Sequence, residues 1–539
     1  MGSRGCSFGG SNLGEHPRCA FTNRAELIAL LQLATAEPLA LETPQNAPAL
    51  VSKRKLSTIE GEEVKKHNTR DSAWVVIDGV VFDVTKFLEG HPGGEEVLLE
   101  HLGKDISPIF SRIHASDVLQ KTIDSLGVVG LLSKKSADVL EVVPAVEGEE
   151  EIEARRSNLP DPEYVINLGE FEKMAKEVLG EDSRAWRFFS SFADDGATYK
   201  ASKNSFSFLR FLPRVNIPVS QISTATSYLG NSTPIPLPIL ICPTGASASG
   251  HPDGELNMTR ASSLSGIPQI VSTMSSVSFS DLAAERDRLV KEEGRKKAPL
   301  WWQLYIKQDR KESEKSIQIA AEAGAEAIVI TVDVASIGKR EADAPRGKLS
   351  GGVAASGSKV FDGKRPRLTL FPLSTADMSW ADIDWVKKHA PGVPVLVKGI
   401  NTVEDVILAK KHGARGVFLS THGGRQLDHS PPPMATLVRL RKERPDLLKD
   451  ENFDVFIDGG VHRGTDVLKA LCLGAKGVGL GRTFLYAQTC YGDAGITRAK
   501  QILAGEIESG MKLLGARSVK ELKPEMIELL PGLVGEQMK

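Results

Sequence analysis

His91-Pro92-Gly93-Gly94, with a second histidine downstream at His114, decides the first part of the fold. A haem iron held from both faces needs two imidazoles on separate short elements, and glycines beside one of them let the backbone close over the porphyrin edge. With both axial positions filled by histidine, an iron passes electrons but does not readily take oxygen or a substrate. The pattern therefore points to electron transfer and leaves the source of the electrons open.

The upstream run Trp74-Val75-Val76-Ile77-Asp78-Gly79-Val80-Val81-Phe82-Asp83-Val84-Thr85-Lys86-Phe87 leads into that turn, and Ile109-Phe110-Ser111-Arg112-Ile113-His114 follows it. From about Leu56 to Leu132 the chain resembles the cytochrome b5 family. The resemblance implies His91 and His114 as axial ligands of haem b. It also implies Val97, Leu98, Leu102, Ile109, Phe110 and Ile113 as the apolar wall around the ring. His67 and His101 lack such a setting and are read as surface or satisfied core residues.

The chain has 539 residues, 41% of them hydrophobic and 25% charged, so a small module at residues 53–133 leaves room for a larger domain with its own core. No apolar run reaches the roughly 18 residues that a membrane span needs. A net charge of -2 gives no electrostatic footprint for nucleic acid. Cys6, Cys19, Cys242, Cys472 and Cys490 show no C-x-x-C spacing, which argues against a disulfide framework or a cysteine metal site.

Two segments read as connections. Residues 1–52 are rich in Gly, Ser, Ala and Pro and carry scattered arginines and glutamates, consistent with a disordered extension or a weak targeting segment. Residues 134–162 include Glu147-Gly148-Glu149-Glu150-Glu151-Ile152-Glu153, and their acidity and scarcity of core residues predict a mobile hinge.

Beyond the hinge, over 163–539, short apolar runs alternate with helical stretches, the signature of parallel strands joined by crossover helices. Eight strands are predicted: Leu237–Cys242, Gln269–Ser272, Leu300–Leu304, Ala327–Val332, Val393–Val397, Gly416–Leu419, Val455–Ile457 and Gly477–Leu480. Helices are predicted between them, among others over Ser280–Glu293, Glu312–Ala323, Val403–His412 and Gly464–Leu473. Eight such units in about 300 residues fit an α/β TIM barrel, (β/α)8. The alternative, an open doubly wound sheet, would normally carry a G-x-G-x-x-G turn after its first strand, and none is there.

A barrel of this kind builds its site from the residues just past each strand. In order these are Thr244, Ser272, Gln303 with Tyr305, Thr331 with Asp333, Lys398, His422 with Arg425, Asp458-Gly459-Gly460 and Gly481-Arg482. Every strand delivers a polar group or a glycine to one rim.

The blocks Thr331-Val332-Asp333, Gly338-Lys339-Arg340-Glu341, His422-Gly423-Gly424-Arg425-Gln426-Leu427-Asp428 and Asp458-Gly459-Gly460-Val461-His462-Arg463-Gly464-Thr465-Asp466 carry a second resemblance. From about Pro160 to Leu529 the chain resembles the FMN-dependent 2-hydroxy acid oxidizing family. The haem module placed before this domain makes it similar to the flavocytochrome b2 family of L-lactate dehydrogenases. The resemblance implies FMN and haem b as cofactors, a small 2-hydroxy acid as substrate and cytochrome c as acceptor. It further implies a homotetramer in the mitochondrial intermembrane space, with the cytosol as the alternative.

Oxidizing a 2-hydroxy acid needs a base, a clamp for the carboxylate and an electron sink. The resemblance gives His422 as the base with Asp333 as its carboxylate partner, Arg425 and Arg340 as the clamp, and Tyr305 at the substrate hydroxyl. It sets Lys398 beside the flavin pyrimidine, Gln303, Ser272 and Thr331 along the ring edge, and Pro243-Thr244-Gly245 near the reacting nitrogen. Gly459, Gly460, Arg463, Gly481 and Arg482, following Asp458, are then expected around the phosphate.

Departures from the family pattern fall near the substrate. Phe188 stands where the family has a tyrosine, Thr421 where it has asparagine and Ala335 where a proline is common, and Met274 lies on the same rim. They bear on the choice of substrate more than on the reaction. Two other readings stay open on sequence alone: an FMN oxidase that uses oxygen, and a haem-binding electron carrier without turnover.

Overall fold

The computed structural model describes residues 56–91, 95–119, 126–146, 148–230, 233–343 and 374–534. The expected extension over 1–52 and the Pro92-Gly93-Gly94 turn lie outside the described residues. No described helix is long and apolar enough to cross a membrane.

The N-terminal module is a five-stranded sheet of β1 (Ser57–Ile59), β2 (Asn68–Thr69), β3 (Ser72–Ile77), β4 (Val80–Asp83) and β5 (Gly127–Leu132), in the order β1-β5-β4-β3-β2. Asp78 and Gly79 both adopt positive φ and join β3 to β4, as a two-residue hairpin turn requires. Strand alternation sends Val75, Ile77, Val80 and Phe82 into one core with Leu88, Leu98 and Leu102, and Val76 and Val81 into a second with Val64 and Leu140. Helix α1 (Ser107–Ile113) packs over the first core and ends at His114.

The stretch over 134–162 differs from the core-poor hinge expected. Leu140 and Val143 are buried in the N-terminal module, and Val142 bridges Asp105. The next part forms helix α2 (Glu149–Ser157), which buries Ile152 in the core of the barrel domain. Three of its glutamates occupy the first turn, where the helix dipole favours negative charge. A count of acidic residues reads that cap as solvated linker.

The larger domain is a TIM barrel. Outside it, β6 (Leu209–Phe211) pairs antiparallel with the last strand of the domain. The barrel strands are β7 (Ile239–Ile241), β8 (Gln269–Val271), β9 (Leu300–Leu304), β10 (Ala327–Thr331), β11 (Val395–Ile400), β12 (Gly416–Leu419), β13 (Asp454–Asp458) and β14 (Gly477–Leu480), and β15 (Ile527–Leu529) pairs back to β6. All eight are parallel, and β14 closes onto β7. Leu240, Ile270, Trp301, Val329, Leu396, Phe418 and Phe456 fill the interior, while residues such as Ile239, Ile241, Ile328, Ile330, Val455 and Ile457 pack outward against the helices. With both faces buried, the strands read as nearly continuous apolar runs.

The strand boundaries shift most at β11, expected over Val393–Val397 but formed by Val395–Ile400. A register irregularity between Lys398 and Ile400 carries the strand past its expected end. Gly399 sits there with φ +103, and a Cβ on it would lie 2.6 Å from Asp333 Cγ. Only glycine lets these two chains approach, and a bulge of this kind re-aims the neighbouring side chain, here Lys398.

Candidate functional site

In the N-terminal module the rings of His91 and His114 face each other with centroids 6.1 Å apart and planes at 45°. Two metal–imidazole bonds of about 2 Å fit one iron between them. His114 Nδ1 contacts Phe110 O at 3.2 Å, which leaves Nε2 as its ligating nitrogen, and the Phe110 ring stacks on it at 4.4 Å. Burial pushes the His114 imidazole down to about 4, so it is neutral at physiological pH, as a ligand must be. Val97, Leu98, Ile109, Phe110 and Ile113 line the crevice as expected, joined by Ile77, Val84 and Phe87. Leu102 does not line it and is buried in the core behind. His67, read as having no ligand role, stacks on Trp74 at 3.4 Å.

This crevice continues without a break into the C-terminal mouth of the barrel, as one cavity of about 2270 Å³. At the far end, His422 Nδ1 is 3.0 Å from Asp333 Oδ1 and His422 Nε2 is 3.5 Å from Tyr305 Oη. His422 has φ +55, a left-handed conformation that a non-glycine residue holds only when its surroundings impose it. The restraints are a bond from His422 N to Ser420 Oγ at 3.1 Å and one from Gly424 N to Thr421 O at 2.9 Å. Burial lowers the His422 pKa below the ordinary imidazole range despite the pull of Asp333. Burial would raise Asp333, but His422 and Lys398 together hold it below the usual carboxylate range. The pair at neutral pH is thus a neutral imidazole beside an ionised carboxylate, the state a proton acceptor needs. Burial raises the Tyr305 phenol to about 12, so it stays a hydrogen-bond donor.

Helix α3 (Arg184–Ser190) ends at this rim, and its last carbonyls lack partners within the helix. Arg425 Nη1 donates to Phe188 O at 2.7 Å, and Arg482 donates from Nε to Phe189 O at 3.1 Å and from Nη2 to Ser191 O at 2.6 Å. Both arginines therefore cap α3, a role that sequence reading missed. Arg425 Cζ also lies 5.0 Å over the Phe188 ring, so this departure from the family pattern serves as a platform for the guanidinium. Arg340 reaches toward Arg425 O and Gln426 Oε1, both at about 3.5 Å or less. Burial lowers the pKa of Arg425, and Arg340 and Arg482 reinforce the effect by repulsion. Three crowded guanidiniums favour anions such as a carboxylate and a phosphate.

Lys398 Nζ is 3.0 Å from Ser420 Oγ and 3.3 Å from Asp458 Oδ2. Burial alone would lower its pKa, but Asp458 and Asp333 hold the ammonium above its ordinary value, so it remains charged. Gln303 Nε2 donates to Thr331 Oγ1 at 3.0 Å, and Gln303 Oε1 accepts from Thr273 N at 3.0 Å and Ser272 Oγ at 3.4 Å. Pro243, Thr244 and Gly245 form the loop after β7 and line the cavity, with Met274 packed so close that a Cβ on Gly245 would lie 2.8 Å from Met274 Cβ. Helix α4 (Ala197–Ser205) crosses behind the rim, its first amides bound to Asp428. Gly460, at φ +79, abuts α4 so tightly that any side chain would strike Ser202 O.

Gly459, Gly460, Gly481 and Arg482 line one end of the cavity, where a long helical run (Arg482–Leu514, kinked at Tyr491-Gly492) begins. A helix N-terminus between glycine turns is a ready phosphate site. This cradle, the cationic Lys398 and the polar Gln303–Thr331 edge together fit an FMN. Arg463 is not part of it. It stands at the start of helix Gly464–Leu473 and pairs with Glu506 at 2.9 Å, so the expected phosphate contact is replaced by a surface ion pair. The residues that sequence reading left without a role are Ser420, which holds both Lys398 and His422, and Gln426, whose amide donates to Asp333 O and Ser336 O. Both lie within or beside the H-G-G-R-Q-L-D block, which was the available signal.

Known protein families match both domains. Residues 175–529 match the family of FMN-dependent dehydrogenases, and residues 60–133 match the cytochrome b5-like haem/steroid binding domain. The chain belongs to the FMN-dependent dehydrogenase family. This dehydrogenase, with its b5-like module, is 37% identical over 470 residues to the L-lactate dehydrogenase (cytochrome) of Wickerhamomyces anomalus, covering 87% of this chain and 79% of the relative. It is also 37% identical to the L-lactate dehydrogenase (cytochrome) of Saccharomyces cerevisiae, covering 90% and 81%. Among solved structures it resembles a mutant flavocytochrome b2 with pyruvate bound, at 35% identity and a TM-score of 0.62, over 73% of this chain and 94% of that one.

Proposed function

We propose that the protein oxidizes an L-2-hydroxy acid to the 2-oxo acid at an FMN in the barrel and delivers the electrons one at a time through haem b to cytochrome c. The observation that carries this reading is the single cavity joining the His91–His114 pair to the His422–Asp333 pair. Relatives described as L-lactate dehydrogenase (cytochrome) support it, as does a structural neighbour holding pyruvate, the 2-oxo acid that lactate oxidation yields.

The substrate carboxylate pairs with Arg425 and Arg340, whose planar guanidiniums offer paired donors. Tyr305 orients the hydroxyl, and His422 Nε2 takes up a proton from the substrate while Asp333 stabilises the imidazolium that forms. FMN supplies the two-electron sink, and haem b the one-electron relay. Lys398 sets a fixed positive charge where negative charge develops on the electron acceptor. His91 and His114 would hold the haem iron, and with two imidazoles bound it would pass electrons rather than take up oxygen.

Phe188 and Met274 bound the substrate space with apolar groups, so a hydroxy acid with a side chain larger than a methyl fits the reading as well as L-lactate does. Cytochrome c as acceptor is consistent with the mitochondrial intermembrane space, and a homotetramer is the assembly proposed. The deciding experiment is anaerobic addition of L-lactate to the holoenzyme. Flavin bleaching followed by the reduced haem bands is expected. Flavin bleaching with the haem left oxidized, and turnover restored by oxygen alone, would favour an oxidase and overturn the proposal.

A further inference from the structure

The two modules meet where the haem-ligand helix ends. Arg112, in the last turn of α1 and two residues before His114, donates from Nε to Ala248 O at 2.7 Å. Its Nη2 lies 3.2 Å from a Glu149 carboxylate oxygen of α2, and its side chain is only 15% exposed. Ala248 belongs to a short turn, Ser247–Ser249, that continues directly from the Pro243-Thr244-Gly245 loop at the proposed flavin site.

The same turn is fastened from two other directions. Arg156 of α2 donates to Gly250 O at 2.9 Å and to Thr489 O at 3.0 Å, and it pairs with Glu153. Glu149, Glu153 and Arg156, together with the buried Ile152, share one face of α2 by their helical spacing. From inside the barrel the buried Glu255 carboxylate accepts from Ser247 N at 3.3 Å and Ser276 N at 3.0 Å. The turn is therefore rigid on its barrel side, and Arg112 is the group that ties the haem side to it. A lighter contact, Ser116 Oγ to Asp281 Oδ2 at 3.0 Å, lies further along the same seam.

We propose that Arg112 is a positioning residue for electron transfer: it latches the haem-ligand helix to the flavin-side loop and so fixes the gap that each electron crosses. The idea rests on the reading of the protein as a flavin and haem dehydrogenase. In each crossing the reduced flavin loses one electron and the ferric haem becomes ferrous, with no bond made or broken. The rate of such a step falls steeply with separation. His114 N is bound to Phe110 O at 2.9 Å, within the element that carries Arg112, so a shift of Arg112 is passed to the iron ligand. The guanidinium meets Ala248 O through Nε and Glu149 through Nη2, two nitrogens held in one plane, whereas a lysine would have to bring its single ammonium nitrogen within reach of both partners.

The test compares wild-type holoenzyme with Arg112→Ala, Arg112→Lys and Ser116→Ala, mixed anaerobically with L-lactate in a stopped-flow spectrometer. In Arg112→Ala the flavin should bleach at the wild-type rate while haem reduction slows about tenfold or more, the loss of docked population expected when the charge-assisted hydrogen bond to Ala248 O and the ion pair with Glu149 are removed together. Arg112→Lys should fall between the two, Ser116→Ala should stay near wild type, and the haem potential and absorption bands should not move. Hydrogen–deuterium exchange without substrate should rise in segments 107–114 and 246–250 of Arg112→Ala. Haem reduction at the wild-type rate, flavin and haem slowed in parallel, a shifted haem potential or unchanged exchange would each overturn the latch. A wild-type haem that L-lactate never reduces would instead refute the parent reading, and the exchange measurement would then judge the latch by itself.

Discussion

His422 is the residue on which the proposed chemistry turns. His422→Gln should retain FMN and lose substrate oxidation by roughly 10² to 10⁴, the usual contribution of a general base, measured as the rate of anaerobic flavin bleaching. Because burial holds His422 below the ordinary imidazole value of about 6.5, kcat/KM should stay level through that pH and fall only at lower pH, as the base becomes protonated. Asp333 raises the His422 pKa, so Asp333→Asn should slow the reaction and move this acid limb further down. A limb that moved upward would contradict the pairing. At Phe188 a tyrosine would add a hydrogen-bond donor while keeping the ring under Arg425. A bond to a charged carboxylate is worth about 1.5 to 3 kcal/mol, so Phe188→Tyr should raise kcat/KM for L-lactate by roughly one to two powers of ten relative to a bulkier hydroxy acid. A substrate panel in which the ratio does not change would make Phe188 a packing residue alone.

Among the elements, the bulge in β11 links backbone geometry to chemistry. Gly399→Ala would force an alanine into φ +103 and set its Cβ against Asp333. Strain of this kind costs about 1 to 3 kcal/mol, which should lower Tm by several degrees in calorimetry. A displacement of about 1 Å at Asp333 or Lys398 can cost on the order of 10²-fold in rate, so kcat should fall far more than stability does. Equal, mild effects on both would show that the bulge only ends the strand. Helix α2 is the element that sequence reading misjudged. Its glutamates look like linker composition, but three of them complement the helix dipole, and Ile152 supplies the burial that holds the helix down.

For the molecule as a whole, two modules with separate cores line one cavity, in which each is proposed to hold its own cofactor. Replacing His91 or His114 with alanine should abolish the haem b spectrum while flavin bleaching by substrate survives, and cytochrome c reduction should be lost with the haem. Haem binding with neither histidine present would remove the ligand assignment. The wild-type protein should yield one haem b and one FMN per chain on extraction.

The sequence alone determined the two modules, the eight barrel strands and most of the rim, because each is written in a local signal. Two short apolar runs on either side of the Asp78-Gly79 turn mark β3 and β4, continuous apolar runs mark β7 to β14, and polar or glycine residues just past each strand mark the site. Tertiary structure decided what depends on partners far along the chain. Arg463 reads as a phosphate ligand until Glu506 takes it, and nothing in the sequence shows that Arg482, besides lining the phosphate end of the cavity, also donates to the orphan carbonyls at the end of α3. Leu102 reads as haem wall until the core behind absorbs it, and Arg112 carries no sequence signal until Ala248 O stands 2.7 Å away. A spacing rule sees neighbours within a few residues, whereas these contacts join residues brought together only when the sheets and helices have packed.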